Sequence, residues 1–142
     1  MIIDKNLVLS DAQTITVTTN STNIVDTIAA GFAFNDEVWA QFLVDTLFAA
    51  GTAGTTLVLA LQMAQDTAFA TVSTILSKTL SAAAVATWGA AGKCYNFKLP
   101  TDVATLDYRY LRALYTVTNA FSAGKIDCRL VKDIDITMDK VL

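Results

Sequence analysis

The residue types that carry out most enzyme chemistry are sparse in this sequence of 142 residues, which contains no histidine. Histidine is the commonest general base and the usual partner of a nucleophilic serine or cysteine. The sequence also lacks the glycine-rich loops that bind phosphate groups or dinucleotides. We therefore expect a protein that is not an enzyme and that requires no metal or cofactor.

Carboxylates are the remaining candidates for chemistry. Asp36 and Glu37 are adjacent, and Asp133, Asp135 and Asp139 lie near the end of the sequence. Paired carboxylates can hydrolyse glycosides, but adjacent residues of an extended strand point to opposite faces. Asp133 and Asp135 would share a face and could bind a cation. We interpret all five residues as solvated surface charge.

Two cysteines, Cys94 and Cys128, lack the spacing of metal ligands. Both lie in strand-like segments, where a free cysteine behaves as a small buried hydrophobic residue. A disulfide would require the fold to bring them together. We expect free thiols, in keeping with assembly in a reducing cytoplasm.

The best candidates for a binding surface are aromatic residues and arginine. A strand over residues 108–118 places Tyr108, Tyr110 and Arg112 on one face, and interface cores are enriched in such residues. The alternative is cross-strand pairing on an outer face of the fold. Trp39 and Trp88 could anchor a partner or stack on a sugar, although a tryptophan in an apolar strand is more often part of the core.

The segments that position these residues have the pattern of β-strands. Short runs rich in valine, leucine and threonine alternate with breaks of glycine, serine, asparagine and aspartate. In residues 55–63 the large apolar side chains share one strand face, whereas a helix would scatter them around its axis. The spacing predicts an all-β fold of about eight strands, a β-sandwich or jelly roll, in a single domain over residues 1–142.

Further strands are predicted over residues 38–48, 72–80 and 93–99, the last ending before Pro100. Residues 11–18 alternate, with Ile15 and Val17 on one face, and residues 19–23 form a polar turn. Residues 119–124 predict a hairpin-like break before a strand over 125–131. Residues 81–87 leave two alternatives: their alanines favour a helix, but Gly89 and Gly92 follow, which favours a short turn or an irregular loop. The faces expected to be buried hold Leu57, Leu59, Leu61 and Met63, then Leu111, Ala113, Tyr115 and Val117, and then Ile126, Cys128 and Leu130.

The composition indicates that other protein subunits cover part of the surface. Hydrophobic residues make up 54% of the sequence and charged residues only 16%, against about 25% charged in a typical domain. The alternative is a monomer whose threonine and serine residues supply the surface polarity. The net charge of −3 argues against nucleic-acid binding, which needs basic stripes. We expect neither a cleaved signal peptide nor a membrane span.

Several short segments follow one another in an order that matches a known pattern. They are 21–26 (STNIVD), 44–51 (VDTLFAAG), 57–62 (LVLALQ), 66–69 (DTAF), 99–100 (LP), 110–112 (YLR), 115–117 (YTV) and 121–125 (FSAGK). In this order they resemble the cement (decoration) proteins of tailed-bacteriophage capsids. No single segment is specific, and the resemblance rests on their ordered spacing over most of residues 20–131.

This resemblance implies a jelly-roll protein on the outer surface of the virion head. It also implies homodimers that bridge subunits of the major capsid protein, and it brings no catalytic residues. The sequence departs from the family pattern in an alanine-rich segment, 82–91, and in the polar tail from residue 133 onward. The rival interpretation is a carbohydrate- or receptor-binding β-sandwich of a phage tail, with Trp88 and Asn96 as the nearest candidates for a sugar platform.

Overall fold

A computed structural model of the protein describes residues 7–27, 38–50, 55–81, 88–99 and 109–131. Nine β-strands form in these ranges. They are β1 (Val8–Thr14), β2 (Thr19–Asn20), β3 (Val25–Asp26), β4 (Trp39–Ala50), β5 (Thr56–Ala64), β6 (Val72–Ser81), β7 (Cys94–Lys98), β8 (Tyr110–Thr118) and β9 (Phe121–Val131).

The strands form two antiparallel sheets. The first sheet has the order β1-β9-β4-β7, and the second has the order β2-β8-β5-β6, with β3 also paired to β8. Because the short strands β2 and β3 both lie along β8, they occupy one strand position between them. The fold thus has eight strand positions, and their order in the two sheets is that of a jelly roll. The all-β prediction is confirmed.

The core lies between the two sheets. Phe42 of the first sheet and Tyr115 of the second meet edge to face, with ring centroids 6.3 Å apart. The Tyr115 hydroxyl also hydrogen-bonds Ser10 Oγ across the sandwich at 2.8 Å. Ser10 Oγ in turn donates to Gln13 Oε1 at 2.7 Å. A serine hydroxyl has one proton, and Gln13 Oε1 can only accept, so the Ser10 proton goes to Gln13. Tyr115 is therefore the donor to Ser10.

The predicted inward faces are confirmed. Leu57, Leu59, Leu61 and Met63 on β5 are fully buried, as are Leu111, Ala113 and Tyr115 on β8, while Val117 is partly buried against the core. Ile126, Cys128 and Leu130 on β9 are also buried. Strict alternation identified these faces because each sheet has one side packed against the other.

Three sequence predictions of local structure were wrong. Strand β1 ends at Thr14, and bends follow, so Ile15 is buried while Val17 is 59% exposed. Residues 19–23 do not form a simple turn, because Thr19 and Asn20 pair with β8. The break before β9 covers only residues 119 and 120, since Phe121 already pairs with Ala50. Each error arose where long-range strand pairing overrode the local pattern.

Some predictions fall outside the described residues. They concern Tyr108, Pro100, the segment 82–87, and the carboxylates Asp36, Glu37, Asp133, Asp135 and Asp139.

Candidate protein interface

The outer face of the second sheet carries two of the five predicted interface residues. Alternation along β8 turns Tyr110, Arg112, Leu114 and Thr116 away from the core, and all four are half-buried. Their cross-strand neighbours on β5 are Ala64, Gln62, Ala60 and Val58, in the same order. We call these eight side chains the β8 face. Of its β5 members, Ala64, Gln62 and Ala60 are buried and Val58 is half-buried.

Arg112 is held in one orientation on this face. Its Nε donates to Gln62 Oε1 at 2.9 Å, across the strand pair. Its guanidinium lies 4.3 Å from the centroid of the Phe69 ring, a cation–π contact. Partial burial lowers the pKa of Arg112 below its ordinary value, although the group remains charged at neutral pH.

Phe69 reaches this position through the turn between β5 and β6. Asp66 Oδ1 accepts a hydrogen bond from the backbone N–H of Ala68 at 2.9 Å, which tightens the turn. Phe69 then adopts a positive φ of 52°, which is rare for an aromatic residue, and its side chain is only 7% exposed. Sequence reasoning did not assign a role to Phe69 or Gln62, since both roles depend on turn geometry and strand register.

An ion pair lies just before the start of β8. Arg109 donates from both Nε and Nη2 to the carboxylate of Asp26, at 2.8 and 2.6 Å. These hydrogen bonds raise the pKa of Arg109. The Arg109 guanidinium also lies 5.2 Å from the centroid of the Tyr110 ring. The Arg109 charge is therefore neutralised within the chain.

The structure does not bring the two tryptophans to the β8 face. Trp39 is half-buried on the first sheet, opposite Lys98 and Val131. Trp88 is 6% exposed and packs against Phe48 and Phe121, so it belongs to the core, as the alternative interpretation allowed. Asn96 is 2% exposed. Neither Trp88 nor Asn96 offers a sugar the exposed surface that stacking requires.

A row of polar side chains, half-buried at Arg129 and buried at Gln41 and Asn96, crosses the outer side of the first sheet, and sequence reasoning missed it. Arg129 Nε donates to Gln41 Oε1 at 2.7 Å, and Gln41 Nε2 donates to Asn96 Oδ1 at 3.1 Å. The Asn96 amide nitrogen is buried and has no hydrogen-bond partner among the residues that the structure describes. The row repeats the arginine–glutamine contact of the β8 face on the opposite sheet.

Both cysteines are buried thiols that form no disulfide, which confirms the prediction made from the sequence. Burial raises the pKa of the Cys128 thiol well above its ordinary value, so it is a poor nucleophile at neutral pH. Within the described ranges, no group of three or more cysteine or acidic residues is arranged to hold a metal ion. Nor does that part of the chain contain a helix long and apolar enough to cross a membrane.

The strand order defines a jelly-roll protein, and the candidate site is the β8 face on its second sheet. A family model, Bbp16, matches residues 9–130, which is most of the chain. The chain therefore belongs to the Bbp16 family, which is associated with bacteriophages. No curated protein matches the chain.

Proposed function

We propose that the protein is a virion structural protein that decorates and stabilises a phage head. In this proposal it binds the outer capsid surface and bridges subunits of the major capsid protein. Membership of a phage-associated family and the jelly-roll fold support a role in the particle. The ordered resemblance to capsid cement proteins supports the head as its location.

The observation that carries the proposal is the β8 face. It combines an aromatic residue, an arginine and half-buried Leu114 on one sheet surface. Protein interfaces favour this composition and place few charges at their centre. Arg109 at its edge is already paired with Asp26, so docking would not bury that guanidinium without a partner.

The proposal includes a structural role without catalysis and a two-fold homodimer as the bridging unit. The absence of histidine from the sequence supports the first part. The low charged fraction supports the second, because subunit contacts hide apolar surface. Two-fold dimers are also the commonest closed assemblies. No role for nucleic acid or membrane is proposed.

Copy number in purified virions tests this function. A head-decorating protein is present in many copies, comparable to the major capsid protein, whereas a receptor-binding module of the tail is present in few. Gel densitometry against the major capsid band should therefore give a high ratio. A ratio comparable to that of tail proteins would overturn the head assignment and favour the tail module.

A further inference from the structure

We infer that Arg112 is a preformed anchor for a carboxylate side chain of the capsid protein to which this chain attaches. Gln62 and Phe69 act as positioning residues for the anchor. The inference rests on the proposed function and specifies the chemistry of the partner at one point of contact.

The guanidinium of Arg112 has hydrogen-bonding capacity that the described chain does not use. An arginine has five N–H donors, and the described hydrogen bond of Arg112 uses only Nε. The η nitrogens of Arg112 have no hydrogen-bond or ion-pair partner within the described ranges. They form the part of the guanidinium that binds a carboxylate or phosphate in a forked geometry.

Arg109 shows what Arg112 lacks. Three residues earlier in the chain, the Arg109 guanidinium receives a complete carboxylate partner from Asp26. Arg112 is more buried than Arg109 and faces a neutral amide instead. A partly desolvated cation gains more from an added anion than an exposed cation does. The unmatched charge therefore lies at the site where an anion would bind most favourably.

Orientation of the guanidinium is fixed before any partner arrives. The Gln62 hydrogen bond fixes Nε, and the Phe69 ring covers one guanidinium face. The Phe69 ring is itself buried, and the backbone of Phe69 has an unusual positive φ. A side chain that is already ordered loses less entropy on binding, so the contact yields more affinity.

A protein carboxylate fits this anchor better than a nucleic-acid phosphate. Phosphate backbones are bound by several cations in a stripe. Here the neighbouring Arg109 is already neutralised, the turn beside Phe69 carries Asp66, and the whole chain has a net charge of −3. A single arginine within a flat, partly apolar face matches one acidic side chain on a protein surface.

Attachment to heads purified from a phage that lacks this protein provides the test. Substitution of Arg112→Ala should weaken attachment at least about tenfold, because the partner carboxylate is left unpaired. Substitution of Gln62→Glu should also weaken it, because the new carboxylate pairs with Arg112 inside the chain. The Gln62→Glu variant should still fold normally, so the weaker attachment should be accompanied by a thermal midpoint at or above that of the wild type. A purely structural role for Gln62 does not predict that combination.

The matched control is Gln41→Glu, which introduces the same change beside Arg129 on the opposite sheet. Attachment of this variant should equal that of the wild type. If Gln41→Glu weakens attachment and Gln62→Glu does not, the anchor lies on the wrong sheet and the inference fails. The Phe69→Tyr variant, which keeps an aromatic ring, should attach normally, whereas Phe69→Leu should attach less tightly.

Cross-linking then identifies the partner group. A water-soluble carbodiimide joins an amine to a carboxylate directly, and arginine does not react in this way. The Arg112→Lys variant, bound to heads, should give a new cross-link to an acidic residue of the major capsid protein that the wild type does not give. A cross-link to a second copy of this chain instead would overturn the assignment. DNA binding in a filter assay, shown by the wild type and lost in Arg112→Ala, would also overturn it.

The same experiment distinguishes failure of the proposed function from failure of the Arg112 anchor. If the wild type does not attach to the heads, head decoration itself is wrong. If the wild type attaches and the Arg112 and Gln62 variants attach equally well, only the anchor is wrong.

Discussion

Gly124 illustrates how a single residue permits close packing in this fold. It lies in β9 with a φ of 150°, near the point where the pairing of β4 with β9 shifts register. A Cβ atom at this position would overlap the ring of Phe48. That ring is 2% exposed and packs against Trp88 and Phe121, so it has little room to move.

We predict that Gly124→Ala lowers the free energy of unfolding by about 1–3 kcal/mol, the usual cost of overpacking a well-packed core. Urea denaturation measures the change. Gly92→Ala is the matched control, because Gly92 also has a positive φ, 88°, but a Cβ atom there meets no other atom within 4 Å. Equal losses in the two variants would show that backbone strain, and not the Phe48 contact, determines the effect.

At the scale of the element, β8 joins a buried face and a candidate binding face in nine residues. Leu111 is fully buried, and the adjacent Arg112 is half-buried on the outer side. One residue step along the strand therefore changes the environment from core to surface. Substitutions at these two positions should have different consequences.

We predict that Leu111→Asp gives insoluble protein, because an unpaired charge in the core costs several kcal/mol, much of the about 5–15 kcal/mol that stabilises a domain. Arg112→Ala should instead remain soluble, with the circular dichroism spectrum of the wild type. Expression, solubility and spectra of the two proteins check this. Soluble, folded Leu111→Asp protein would contradict the burial of that face.

Sequence predicted the strands best where both local pattern and pairing agreed. The alternation of large apolar side chains in β5 and β8 was sufficient, since those strands are central in their sheet and these side chains belong to the core. Residues 15–20 were misassigned because their pairing with β8 and β9 joins positions about a hundred residues apart. Arg112 was identified as a candidate from its residue type and strand face. Its contacts with Gln62 and Phe69 were not, because they depend on register and on a turn with positive φ.

At the scale of the whole molecule, two buried tyrosine hydroxyls and one buried thiol influence stability at high pH. Burial raises the pKa of Tyr95 to about 12 and shifts the pKa values of Tyr115 and Cys128 upward. In the unfolded chain a thiol and a phenol lose their protons near 9.0 and 10.0, respectively. Between those values and the folded pKa values, only the unfolded chain is deprotonated.

We therefore predict that the contribution of these groups to stability is complete below about pH 9 and is progressively lost as the pH rises toward 12. Urea midpoints measured across this interval check the prediction. Tyr95→Phe loses the hydrogen bond from the Tyr95 hydroxyl to the Trp88 carbonyl, 2.9 Å long, at a cost of about 1 kcal/mol at neutral pH. Its stability should then decline less steeply above pH 10. An unchanged slope would show that Tyr95 does not contribute.

The positions of the last two strands bear on how the chain folds as it is synthesised. Strand β9 lies between β1 and β4 in the first sheet, and β8 lies between β2 and β5 in the second. Until these strands leave the ribosome, only the β5–β6 hairpin and the β4–β7 pair can form among the described strands. Neither sheet is then continuous, and the apolar face of β5 has no complete opposing sheet. Folding is thus delayed until residue 131 has emerged, and chaperones that bind exposed apolar strands have the whole of translation in which to act.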